Sequence, residues 1–137
     1  MGGRTVGDTG PADDEPFAVT ALAYLALFLL GLAQGVIGTF QYSRGPAPLA
    51  SILFDLGILA TCVLGSHGMR TAAGGVLPAV GWFLATLLLS SASSGGSILI
   101  TDTAAGQWFL FGGAITAAAG AVYAFARWSR ASRLRRR

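Results

Sequence analysis

FAVTALAYLALFLLGLAQGVIG, residues 17–38, contains no charged residue and one amide, Gln34. A helix needs roughly 20 apolar residues to cross about 30 Å of hydrocarbon, so this stretch predicts a membrane span. The segment QYSRGPAP (41–48) closes it, because its glycine and two prolines interrupt a helix. A second span is expected over 49–67, with Asp55 in its interior, followed by the turn SHGMRT (66–71) with His67 and Arg70. The third covers 72–91, with Pro78 early and Trp82 and Phe83 beyond it. Next come SSGGS (93–97) and the apolar piece Ile98 to Ile100, which is too short to cross and reads as a loop dipping toward the interface. The last span, 107–126, is bracketed by Trp108 and Trp128 as interfacial aromatics. The expected fold is an all-α membrane protein, four transmembrane helices in a compact antiparallel bundle over residues 17–126.

Composition agrees. Of 137 residues 53% are hydrophobic and 11% charged, whereas a soluble domain is about a quarter charged. The same figures exclude disorder for most of the chain. Residues 1–16, MGGRTVGDTGPADDEP, have no apolar period and read as a disordered acidic tail. Four acids there face a single Arg4, and the apolar run that follows is too long for a signal peptide, so the segment reads as retained. Six of the nine basic residues, Arg127, Arg130, Arg133, Arg135, Arg136 and Arg137, form a polybasic tail over 127–137. Without them the net charge of +3 becomes negative, so a basic body is excluded. The one cysteine, Cys62, lies in an apolar run, which rules out an intramolecular disulfide.

Basic residues set the threading. Four spans place both ends on one side together with the 66–71 turn, and that side holds every arginine except Arg44. The positive-inside bias then places both termini in the cytoplasm of a multi-pass protein of the plasma (inner) membrane.

The residues also remove most chemistry. The chain has no lysine, hence no P-loop lysine and no Schiff base; one histidine and one cysteine exclude the common metal clusters. Neither G-x-G-x-x-G nor G-x-S-x-G occurs. Ser66 and His67 are sequence neighbours, and neighbours on a helix do not face each other, so they make no nucleophile and base. The expectation is no enzyme, no catalytic residue, no metal and no cofactor.

Asp55 is different, because a carboxyl in hydrocarbon is costly and turns toward the protein interior or a water-filled cavity. Ser51, Asp55, Cys62 and Ser66 share one helical stripe, which should face other helices. At a rise of about 1.5 Å per residue, Gln34 lies about 6 Å, Asp55 and Thr86 about 10 Å, and Thr116 about 13 Å below the outer surface. These four are expected to converge in an intramembrane polar layer, with Arg44 reaching down from its loop. The layer is either a hydrogen-bonded packing element, a protonatable transport or ligand site, or a place where a partner subunit neutralises Asp55.

Small residues form a second pattern. Gly31, Gly35 and Gly38 line one face of the first span, and Gly112, Thr116, Gly120 and Ala124 recur every four residues in the last. Such faces let backbones approach closely, either within the protein or in a homo-oligomer or partner seam. The polybasic tail fixes topology and is expected to contact anionic lipid head groups. No folded basic domain accompanies it, so nucleic acid is not an expected partner.

An acidic head, four Ala/Gly/Leu-rich spans and an arginine end together resemble the small uncharacterised four-helix membrane proteins common in GC-rich bacteria. The resemblance implies a plasma-membrane protein of unknown activity. Small multidrug exporters carry a glutamate in their first helix, where this span has no acid, and fluoride channels use Asn-containing motifs, where this chain has no Asn. The leading expectation is a structural or accessory component of a membrane assembly. The alternative is a small transporter or channel subunit in which Asp55 responds to protons or cations.

Overall fold

The computed structural model describes residues 15–41, 49–91 and 104–134. They form four helices: α1 (Glu15–Gln41), α2 (Leu49–Met69), α3 (Ala73–Ser91) and α4 (Ala104–Leu134). All four are long and apolar enough to cross a membrane, with mean hydropathies of 2.1, 1.9, 1.7 and 1.7 over their most apolar windows. The shortest, with 19 residues, extends about 28 Å at the α-helical rise. Arg44, the Ile98 to Ile100 piece, the first 14 residues and Arg135, Arg136 and Arg137 lie outside the described residues.

The helices begin and end where local chemistry dictates. Pro16 occupies the first turn of α1, where its missing N–H costs nothing, and its carbonyl accepts the Thr20 hydroxyl at 2.8 Å. Between α2 and α3 the chain reverses through Arg70, which adopts a left-handed φ of 52°. Thr71 Oγ1 then accepts the Gly74 N–H at 3.3 Å and caps α3. α4 continues through the arginine-bearing segment to Leu134, so residues 127–134 are helical. Ala, Arg and Leu are strong helix formers, and neither Gly nor Pro follows Gly120 to stop them.

α1 packs chiefly against α3, and α2 contacts α3 and α4, with α4 also touching α3. The seams are built on close backbone approach. On the α1–α3 seam, Gly31 lies against the Pro78 backbone and Gly35 against Trp82 O, within 3.0 Å of where a Cβ would stand. Between α2 and α3, Gly65 and Gly74 each take the other's carbonyl oxygen into the space a Cβ would occupy. Pro78, by lacking an N–H, leaves the Gly74 carbonyl without its i+4 partner, and that oxygen is the one resting on Gly65. The buried core between α2, α3 and α4 centres on Ile58, Cys62, Trp82, Phe109 and Ala117. Phe109 lies 5.8 Å from Trp82 and meets Phe54 edge-on at 6.5 Å.

Candidate functional site

On α2 the residues Ser51, Asp55, Ile58, Cys62, Gly65 and Ser66 are buried, at the three- and four-residue spacing of one helical face. Asp55, the acid on that face, is 6% exposed. Its carboxylate is received by two consecutive glycines of α4. Oδ2 sits in the place of a Gly112 side chain, and Oδ1 lies 3.0 Å from the corresponding point on Gly113. A Gly113 Cβ would also enter the indole ring of Trp82, which is 1% exposed. The acid thus occupies a notch that exists because two neighbouring residues of α4 lack side chains. Oδ1 is buried without a hydrogen-bond partner.

The notch lies at a change in helix geometry. Trp108–Gly112 forms a π-helical turn, wider than the α-helix on either side. One turn before Asp55 on α2, Ser51 Oγ donates to Ala105 O at 3.1 Å; two turns after it, Cys62 packs into the gap at Gly120. The α2–α4 seam therefore runs through Ser51 with Ala105, Asp55 with Gly112 and Gly113, and Cys62 with Gly120.

The other expected members of the polar layer bond other partners than Asp55. Gln34 Nε2 donates to Thr61 Oγ1 at 2.8 Å, and Gln34 Oε1 is buried without a partner. Thr61 is six residues, about 9 Å, further along α2 than Asp55. Thr86 donates to Trp82 O at 3.0 Å and Phe83 O at 3.1 Å, and Thr116 to Gly112 O at 2.9 Å and Gly113 O at 3.1 Å. Among the described residues no hydrogen bond joins any two of Gln34, Asp55, Thr86 and Thr116. Each threonine satisfies its hydroxyl on a carbonyl three or four residues back, which needs no second helix. Thr116 is nonetheless linked to the notch, since its acceptors are the two glycine carbonyls.

The small-residue faces meet neighbours of the same chain. Gly31 and Gly35 face α3, Gly38 faces the Phe109 ring, Gly112 faces Asp55 and Gly120 faces Cys62. Those faces are filled from within. Arg127, Arg130 and Arg133 lie exposed on the last turns of α4. Ser66 Oγ donates to Val63 O at 2.8 Å, and His67 Nδ1 lies 2.9 Å from the same carbonyl. The His67 ring stacks on Tyr123 at 6.1 Å, so serine and histidine do not address each other. Among the described residues no three His, Cys, Asp or Glu side chains gather to hold a metal.

Trp82, Gly113 and Thr61 are the residues that sequence reasoning missed. The Gly112–Gly113 pair in an otherwise bulky run, WFLFGG (108–113), is the signal that could have located the notch. Trp82 offered no such signal, because its burial depends on which helices adjoin.

A family described as a family of unknown function, DUF6113, matches residues 8–135. No curated protein and no protein of solved structure matches the chain.

Proposed function

The chain belongs to DUF6113, a family of unknown function, and from that footing we propose that it is a non-enzymatic, multi-pass component of a bacterial plasma membrane, serving an assembly as a structural or accessory element. The four helices stand as an antiparallel bundle with both termini in the cytoplasm, the orientation favoured by the arginine distribution.

The observation that carries the reading is the enclosure of Asp55. A transported proton or cation needs a polar route to the acid, and among the described residues Asp55 is 6% exposed, its carboxylate set against the Gly112 and Gly113 backbone with the Trp82 ring beside Gly113. Small residues such as Gly112 and Gly113 let two membrane helices close on each other, as a packing seam requires. The exterior fits the same role. Only 6% of the most apolar window of α1 is buried, and an apolar hollow of about 480 Å³ lies between α1 and α2, lined by Ala23, Leu27, Leu30, Leu64 and Gly65 among others.

One observation favours the second reading, a transporter or channel subunit: Oδ1 of Asp55 is buried and unpartnered beside a π-helical turn, a feature frequent at functional sites. Extraction in gentle detergent followed by identification of co-purifying proteins tests the first reading, which requires a companion in fixed ratio. Isolation of the chain alone, with an ion flux in vesicles that Asp55→Asn abolishes while the fold persists, supports the second instead.

A further inference from the structure

At the opposite end of α2 from the acid notch, the α2–α3 turn meets the last turns of α4. Between them lies a cavity of about 270 Å³ lined by Ser66, Arg70, Thr71, Arg127 and Trp128 with alanine methyls. Its size, just under the roughly 300 Å³ at which ligand pockets begin, suits a small polar group. Two arginines from different elements border it, one from the turn and one from α4. Neither has an acidic partner among the described residues, for Asp55 is the one acid whose side chain is described and it stands eleven residues before Ser66 on α2. The amino end of α3 begins beside the cavity and adds the positive end of its dipole. Thr71 is held in place there by the Tyr24 hydroxyl at 2.8 Å and the Gly74 N–H. Ser66 Oγ gives its proton to Val63 O and retains lone pairs only, so the charged donors bordering the cavity are the two guanidinium groups.

The backbone at Arg70 is the second observation. Its φ of 52° places it in the left-handed region at the end of α2, a position where glycine is the cheap residue. A long cationic side chain stands there at a steric cost that glycine would avoid.

We propose that this cavity binds a phosphoryl group, gripped by Arg70 and Arg127 as paired guanidinium donors with Trp128 closing one side. Guanidinium matches phosphate in geometry and charge. The group arrives either as the head of an anionic phospholipid or as free phosphate; the lipid source rests on the membrane reading above, and the free source does not.

The test uses the full chain in phosphate-free, uncharged detergent, with tryptophan fluorescence followed on titration with inorganic phosphate, short-chain phosphatidylglycerol or short-chain phosphatidylcholine. Saturable binding of phosphatidylglycerol alone identifies a lipid head group, and saturable binding of phosphate identifies the free anion. In either case Arg70→Gly and Arg127→Gln each weaken binding about tenfold or more, the loss expected for a charge-assisted hydrogen bond. Arg130→Gln, exposed like Arg127 but not lining the cavity, changes it by less than about twofold. Arg70→Gly keeps or raises the thermal midpoint, because the left-handed backbone is relieved, which separates lost binding from lost fold. No saturable binding of phosphate or phosphatidylglycerol, equal binding of phosphatidylcholine, or an equal loss in Arg130→Gln overturns the proposal.

Discussion

Adding one methyl group to this protein should have opposite consequences at two glycines. At Gly113 a Cβ would enter the Trp82 ring and stand 3.0 Å from Asp55 Oδ1. The indole cannot withdraw, being 1% exposed and packed against Phe83 at 5.3 Å and Phe109 at 5.8 Å. Gly113→Ala therefore overpacks a full interior, at a cost of about 1–3 kcal/mol. Better helix propensity of alanine returns about 1 kcal/mol at most, so destabilisation wins. At Gly57, on the same helix as Asp55, nothing lies within 4 Å of the added atom. There the propensity gain stands alone, and Gly57→Ala is neutral or stabilising by about 0.5–1 kcal/mol. Both variants are compared with the parent by reversible unfolding in mixed detergent micelles, monitored by tryptophan fluorescence and circular dichroism. A Gly113→Ala protein as stable as the parent, or a Gly57→Ala protein that loses as much, refutes the notch.

Three further outcomes are expected. Trp82→Ala removes the largest buried side chain and costs about 3–5 kcal/mol in the same unfolding measurement. A double-mutant cycle on Gln34→Leu and Thr61→Val yields a coupling of about 0.6 kcal/mol, whereas the cycle on Thr86→Val and Thr116→Val is additive within about 0.5 kcal/mol. A reporter fused after Arg137 and active only in the cytoplasm is expected from the arginine distribution; activity only outside reverses the threading.

The helices were legible in the sequence because hydrocarbon thickness demands long uncharged runs, and 17–38 can be little else. Asp55 stood out for the same reason, as an acid inside such a run. Helix neighbours were not legible. In a soluble protein the buried face is the apolar face, but here outward residues such as Leu22, Leu56 and Phe125 are as apolar as those inside. The α1–α3 seam depends on Gly31 and Gly81 meeting backbone of the other helix, whereas the spacing of Gly31, Gly35 and Gly38 alone fits a homodimer as well. Depth counting placed Thr86 and Thr116 near Asp55 but could not foresee that threonine hydroxyls would satisfy themselves on their own helices. The π-helical turn was also hidden, because it inserts residues without changing their apolar character.

The central claim is that Asp55 is an enclosed packing group within an accessory membrane protein. Its most direct test is the stoichiometry of whatever protein co-purifies after gentle detergent extraction, measured in parallel for the parent and Asp55→Asn. The amide keeps the shape of the carboxylate, so the account predicts one companion at the same fixed ratio to both proteins. A parent protein that purifies alone would contradict it.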